Sequence, residues 1–287
     1  MKIKRWVFLL VAALMALVGY ALLVEPNRLV VRRVVIKDSV LVQAWPGLAI
    51  VHLSDTHIRQ MGAKEGMLLA AINDLNPELI VMSGDFNQWQ ADPGPVQQFL
   101  AQLSAPLGVF GVLGDADQVV NGPKGCAFCH PVGRYHERLA RPVILRNEVR
   151  SIAYRGGTIT IAGVEWAEEG SGEWLRQLSA SSGRSQEPLL VLSHSSQLWT
   201  DTPLAGHSLW LSGDTHGGQV WMPDWLWKMV PYKPDPRHMG GVYDNGQGGW
   251  LIVNRGIGTT ARFPFRFGVP PELLVITFAE SDGGMGR

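Results

Sequence analysis

Apolar positions in this chain gather into one long opening run and then into many short runs that stop abruptly on polar residues. The long run extends from Trp6 to Val24, behind the basic head Met1-Lys2-Ile3-Lys4-Arg5. As a helix it spans roughly 28 Å, close to the hydrocarbon thickness of a bilayer. A cleaved signal peptide has a shorter apolar core and a small-residue cleavage site. No clear Ala-x-Ala site follows here, so residues 1–27 read as a retained, single-pass anchor in the inner (cytoplasmic) membrane, with residues 28–287 as one domain. Lys2, Lys4 and Arg5 precede the run, and Arg28, Arg32, Arg33 and Lys37 follow it. The positive-inside comparison nearly ties. The short basic head favours an extracytoplasmic domain, and the near-tie leaves the side open.

The short runs alternate in type. Leu29 to Val42 is Val-rich and predicts a strand or hairpin; Leu48-Ala49-Ile50-Val51-His52-Leu53 predicts a buried strand. Gly66 to Leu75 has helical spacing that Asn76-Pro77 ends. Leu79-Ile80-Val81-Met82 is a strand, Pro95 to Leu103 a helix and Leu107 to Leu113 a strand. Residues 116–142 are loop-like. Strands follow around 144–145, 151–154 and 158–163, then a helix over 171–178. Further strands are predicted at 189–192, 209–211, 250–253 and 273–278. Alternating strand and helix, then a strand-rich second half, predict an α/β sandwich of two sheets flanked by helices.

Composition adds little beyond a globular domain. Of the 287 residues, 46% are hydrophobic and 17% charged, and 25 basic residues balance 25 acidic ones. Overall charge therefore gives no sign of a nucleic-acid partner, and none is expected.

The polar residues that stop the apolar runs change the picture. They are Leu53-Ser54-Asp55-Thr56-His57, Ser83-Gly84-Asp85, Leu113-Gly114-Asp115, Leu192-Ser193-His194 and Ser212-Gly213-Asp214-Thr215-His216-Gly217-Gly218-Gln219. Ligands of α/β folds gather beyond the carboxyl ends of strands. An isolated Gly-Asp pair is usually a turn, but five strand ends offering Asp or His predict one polymetal site. The mixture suits Mn, Fe or Zn, with aspartate able to bridge two ions. A glycine before Asp85, Asp115 and Asp214 lets ligand and backbone approach closely.

The order of these motifs resembles the calcineurin-like metallophosphoesterases over roughly residues 45–279. Residues 214–219, Asn254-Arg255-Gly256-Ile257-Gly258 and Pro270-Pro271-Glu272 resemble a bacterial membrane-anchored branch, with UDP-2,3-diacylglucosamine pyrophosphatase-type members. The resemblance implies two divalent ions, one held by Asp55, His57, Asp85 and His216. The second would be held by Asp85, Asp115, His194 and Asp214, with Asp85 bridging. It implies hydrolysis of a phosphodiester or pyrophosphate bond by activated water, both ions stabilising the developing charge. Three positions depart from the family pattern. Asp115 stands for an asparagine ligand, Ala116 for a histidine and Asp214 for the first histidine of the last motif. The second subsite is thereby more acidic, which favours Mn or Mg over Zn. Loss of the histidine removes a general acid typically worth about 10²–10⁴-fold. Arg255 or His130 are candidates to compensate. Asp117 occupies the motif's acidic position, as a catalytic or a loop-orienting group.

Other segments carry weaker signals. Cys126-Ala127-Phe128-Cys129-His130 fits c-type haem attachment, a local disulfide or thiol pair, or, with His136, a zinc site. Residues 221–232 are dense in Trp and Pro and read as a packed loop or as a membrane-interface patch. His52 and His207 read as structural. The expected substrate is a phosphoester, with a lipid-linked nucleotide such as UDP-2,3-diacylglucosamine as the specific candidate. The alternative is a decayed enzyme that binds metal or phosphate without turnover.

Overall fold

A computed structural model describes residues 2–89, 91–118, 142–165, 170–181, 187–204, 206–227, 229–230 and 237–280. Cys126, Cys129, His130 and His136 lie outside the described residues, as does most of the expected loop over 116–142. Helix α1 (Lys2–Gly19) runs into a five-residue π-helical turn at Tyr20–Val24. From Arg5 to Asn27 it is long and apolar enough to cross a membrane, with a mean hydropathy of 2.8.

Strand β1 (Val30–Lys37) ends sooner than its Val content predicts, because Asp38 caps helix α2 (Ser39–Ala44). The Asp38 carboxylate accepts from the N–H groups of Val40 at 2.9 Å and Leu41 at 3.1 Å. An N-cap is typically worth about 1 kcal/mol, enough to turn a Val-rich stretch from strand to helix locally. Next come β2 (Ile50–Leu53), α3 (Ala63–Leu75), β3 (Leu79–Met82), α4 (Gly94–Leu100), β4 (Val109–Gly111) and β5 (Val143–Ile144). Helix α3 starts before the expected Gly66 because Glu65 Oε2 reaches back to the Gly62 N–H at 3.0 Å. It stops where Asn76 turns left-handed, at φ 43°.

The second half runs β6 (Glu148–Tyr154), β7 (Gly157–Val164), α5 (Ser171–Ala180), β8 (Leu189–Ser193), α6 (Gln197–Asp201) and β9 (Ser208–Ser212). It closes with α7 (Asp224–Trp227), β10 (Gly241–Asp244), β11 (Gly249–Val253) and β12 (Glu272–Ala279). Short α2, α6, α7 and β10 lack a long periodic run, and the sequence pattern did not announce them.

Two six-stranded sheets result, in the orders β1-β12-β2-β3-β4-β5 and β10-β11-β9-β8-β7-β6. Strands β2 to β5 are parallel, as are β7, β8, β9 and β11. Along β3, Leu79 and Val81 face the core between the sheets, while Ile80 and Met82 face the layer of α3 and α4. On β8, Leu190 and Leu192 join the central core, while Leu189 and Val191 pack with Leu175 of α5. Both faces of β3 and β8 are covered, so these stretches of sequence read as continuous apolar runs. Burying such a Val or Leu side chain contributes about 1.5–3 kcal/mol. The architecture is the expected α/β sandwich. Strands β2, β3 and β4 of one sheet and β8 and β9 of the other deliver their C-terminal ends to one edge.

Candidate metal centre

Each parallel strand hands over to a ligand-bearing turn, and the turns are laced together. The N–H groups of Asp55 and His57 donate to the carbonyls of Gly84 and Asp85, each at 3.0 Å, and that of Gly213 to His194 at 2.9 Å. The glycines are close-packed spacers. A Cβ on Gly114 would strike Asp85 Oδ1, one on Gly213 would strike Ser54 Oγ and Asp55 Oδ2, and one on Gly84 would stand 2.8 Å from His194 Nδ1.

The backbone is strained where the ligands sit. Asp55, His57, Asp85, Asp214 and His216 all have positive φ, between 43° and 70°. Five of the seven candidate ligands thus occupy a conformation costing on the order of 1 kcal/mol for a non-glycine residue. Such strain concentrates at functional sites, and sequence gives no direct sign of it.

Two close groups form among the described residues, Asp55-His57-His216 and Asp55-Asp85-His194, their ligand atoms within 4.8 Å of one another. His216 Nε2 lies 3.5 Å from Asp55 Oδ1 and 3.0 Å from His57 Nε2. Asp55 is common to both groups, and Asp85, of the second, also reaches the first. Its Oδ2 is 3.4 Å from His57 Nε2 and its Oδ1 3.7 Å from His194 Nε2. Asp214 adjoins through Oδ1, 3.9 Å from His194 Nε2. Asp115 is the exposed member; it belongs to neither close group and is tied to His194 and Asp214 by charge.

The outer contacts fix ring orientations. His194 Nδ1 donates to the Ser83 carbonyl at 2.8 Å, which turns Nε2 toward the carboxylates. His216 has the Gly258 carbonyl as a backbone partner and a 3.4 Å contact from Arg266 Nη2. His57 Nδ1 faces the backbone of Asn87 without a well-directed hydrogen bond. Behind Asp55, Ser54 Oγ donates to Oδ2 at 2.5 Å, and Ser83 Oγ donates to Ser54 at 2.7 Å. His52 Nε2 lies 2.9 Å from Ser83 Oγ and completes a buried chain. His52 therefore supports Asp55 from within the core.

The charge pattern asks for cations. Burial first, then mutual repulsion, raises Asp85; burial dominates the rise of Asp55, with Asp214 adding. Partial desolvation raises Asp115 against the pull of His194. Burial opposes a charge on His194, yet Asp85, Asp214 and Asp55 push it up to about 10. Burial holds His57 down to about 3 and His216 well below its ordinary value. A crowd of carboxylates against two neutral imidazoles is what divalent ions satisfy. The two imidazole nitrogens, 3.0 Å apart, are close enough that one ion could be held by both.

Asp117 is 2% exposed and faces inward. Its oxygens accept from Phe86 N at 2.9 Å, Asn87 N at 3.1 Å and Gly114 N at 3.0 Å, so it clamps the turns carrying Asp85 and Asp115. Arg255 is half-buried, with its stem against Gly217 and Gly240. Among the described residues its guanidinium has no hydrogen-bond or ion-pair partner.

Sequence reading missed Arg266 and Lys64. Arg266 is fully buried and donates to the carbonyls of Gly258, Val269, Arg255 and Gly256, holding the loop that lies on Asp55 and His57. Lys64 Nζ donates to Ile257 O of the same loop at 2.9 Å, and burial brings its pKa down to about 8. Neither residue lies in a motif, and only the three-dimensional loop packing reveals them. Gln219 and Glu272, from the late signatures, pin loops: Gln219 Oε1 accepts from Thr260 N at 2.9 Å, and Glu272 Oε1 from Arg255 N at 2.7 Å.

No family model matches the chain. The uncharacterized metallophosphoesterase YkuE of Bacillus subtilis (strain 168) is 29% identical over 275 residues, 92% of this chain and 90% of that protein. An uncharacterized metallophosphoesterase of Aquifex aeolicus (strain VF5) is 24% identical over 239 residues, covering 80% and 84%. Among solved structures, the phosphopantetheinyl hydrolase PptH of Mycobacterium tuberculosis aligns with a TM-score of 0.40 at 12% identity, over 77% of this chain and 95% of that one. Relatives named as metallophosphoesterases thus match most of the chain, which supports the metallophosphoesterase family.

Proposed function

We propose that this protein is a metallophosphoesterase that hydrolyses a phosphodiester or pyrophosphate bond with two divalent ions. The observation that carries the reading is Asp85, one carboxylate oxygen toward His57 and the other toward His194, between two Asp/His groups. Asp55, His57, Asp85 and His216 would hold one ion; Asp85, Asp115, His194 and Asp214 the other. When bound, such a pair supplies an activated water and stabilises charge at phosphorus. The chain's own part is to fix the ligands through the Ser83, Gly258 and Asp117 contacts and to close the core side with His52, Ser54 and Ser83. The carboxylate-rich second subsite favours Mn or Mg over Zn.

A lipid-linked nucleotide, such as UDP-2,3-diacylglucosamine, is the finer proposal for the substrate. Helix α1, read as an anchor in the inner membrane, and the exposed aromatic residues near the site support a substrate presented at a membrane. The test is elemental analysis of the full chain, purified with Mn, beside Asp85→Ala, with hydrolysis of bis(p-nitrophenyl) phosphate measured on both. About two ions per chain, fewer in the variant, together with hydrolysis that the variant lacks, is the expected result. Ions without turnover on any phosphoester would leave a binding protein instead.

A further inference from the structure

We infer that the loop tips bearing Trp221, Trp225 and Phe263, with the exposed end of α1, form one membrane-contact face that seats the domain at the headgroup layer of a lipid bilayer. The inference rests on reading α1 as membrane-inserted and is independent of the proposed hydrolysis.

The joint between helix and domain carries it. The π-helical turn at Tyr20–Val24 changes the hydrogen-bond register, and Ala21 O accepts from the backbone N–H of Arg266 at 3.0 Å. Tyr20 meets the Phe267 ring edge-on, with centroids 6.4 Å apart. Glu25 and Pro26 are buried immediately afterwards. The domain therefore grips α1 inside its apolar run: Leu22, Leu23 and Val24 lie beyond Ala21 and remain exposed. Three residues at 1.5 Å each put the grip within about 5 Å of the end of that run. The polar layer outside the hydrocarbon is itself about 5–7 Å thick on each side.

The exposed aromatics belong to the same joint. Trp221 N donates to Phe267 O at 2.7 Å, and Val220 bridges to Phe267 and Gly268, so the two loops are hydrogen-bonded together. Trp221, Trp225 and Met229 are 65–72% exposed and Phe263 is 52% exposed, with exposed Arg262 beside it. Tryptophan at the headgroup level, with a basic residue for anionic lipids, is the composition of a membrane interface. Continuity with α1 selects lipid over a protein partner, because a partner covering these tips would have to share the space with the bilayer around Leu22 to Val24. The same loops lead to the metal centre: Gly218, two residues past His216, packs on Trp227, and Arg266 holds the loop over Asp55. The face thus fixes the height of the site above the membrane, as a substrate with its headgroup at the surface requires.

The test places spin labels on the full chain in phosphatidylcholine–phosphatidylglycerol vesicles. Labels go at Trp225→Cys and Phe263→Cys, with Leu14→Cys in α1 and Arg150→Cys on β6 as lipid and water references, in a Cys126→Ser/Cys129→Ser background. Oxygen and nickel-chelate collision rates give the depth. Labels at 225 and 263 are expected to collide with oxygen more and with nickel less than the label at 150. Values equal to those at 150, with 14 in lipid, overturn the contact face and leave the anchor standing. Shielding from both reagents at 225 and 263 means a protein cover and also overturns it. A water signature at 14 overturns the anchor and the face together. Metal content and hydrolysis enter none of these readings.

Discussion

His57 and His216 stack ring on ring, 4.9 Å between centroids and 20° between planes, with their Nε2 atoms 3.0 Å apart. Burial keeps both rings neutral, His57 down to about 3. Two lone-pair nitrogens held face to face lack a shared proton donor unless one ring presents N–H, and a cation meets both. If they serve one ion, His57→Ala and His216→Ala should each lose that ion, and the double variant should lose no more than either single. Elemental analysis of the three proteins checks this. Losses that add up to both ions would separate the two histidines.

The charge pattern sets a pH dependence. His194, pushed up to about 10 from an ordinary 6.5, stabilises the cation-free fold fully below 6.5 and loses that contribution as pH rises toward 10. Asp55 and Asp85 are raised from 3.8, burial first, so ionising them above pH 4 also costs the cation-free fold stability. Both directions agree: without ions, these groups make the protein less stable as pH climbs. Cations need His194 and the carboxylates deprotonated, so binding releases protons and strengthens with pH. Added Mn should therefore raise the melting temperature more at pH 8.5 than at pH 5.5, and calorimetry in buffers of different ionisation enthalpy should detect the released protons. An equal or larger gain at pH 5.5 would remove this electrostatic account.

The sheets were legible because strands buried on both faces must be continuous apolar runs, and β2, β3, β8, β9, β11 and β12 lie where such runs stand. The candidate ligands were legible because each run ends on Asp or His. Helix α2 was not, since one Asp38 cap outweighs a Val-rich stretch. Arg266 was not, because a buried arginine is specified by four carbonyls from loops 255–258 and 269, which no local pattern reveals. Asp117 was visible only as an acid in a motif. Two of its three backbone donors, Phe86 and Asn87, lie 31 and 30 residues away from it along the chain, and that contact needed the fold.

Glycine packing gives a contrast between two alanine substitutions. Gly213 stands against Ser54 Oγ and Asp55 Oδ2, whereas Gly66, inside α3, has open space around it. Gly213→Ala should destabilise by about 1–3 kcal/mol by overpacking and should displace Asp55, lowering metal content. Gly66→Ala should stabilise by up to about 1 kcal/mol through helix propensity, with metal content unchanged. Thermal unfolding beside elemental analysis reads both; a harmless Gly213→Ala would mean that the turn relaxes around the methyl.

Removing the Arg266 guanidinium leaves several carbonyls without donors and releases the loop on Asp55 and His57. Arg266→Met should cost about 3–5 kcal/mol, since each buried carbonyl left without a donor costs about 1–3 kcal/mol. Arg266→Lys should recover little, since an ammonium cannot reproduce the planar fork. Denaturant unfolding of the detergent-solubilised chain measures both. A lysine variant as stable as the parent would show that charge alone suffices there.

Ala116 bears on chemistry rather than stability. It is 5% exposed, and its N–H donates to Asp85 Oδ1 at 2.8 Å, on the carboxylate between the two Asp/His groups. Its methyl group can carry no proton to a leaving group. Half-buried Lys64 and buried Arg266 already donate to loop carbonyls. The proposed hydrolysis should therefore depend on how well the leaving group departs unaided. An aryl phosphodiester should be cleaved faster than a comparable alkyl one by more than about 10²-fold, the lower worth of a general acid. Ala116→His, which supplies an imidazole at this position, should narrow that ratio chiefly by raising kcat on the alkyl substrate. Equal rates on aryl and alkyl diesters in the parent protein would require another group that stabilises the leaving oxygen, and Arg255, a permanent cation whose guanidinium has no partner among the described residues, would be the next position to substitute.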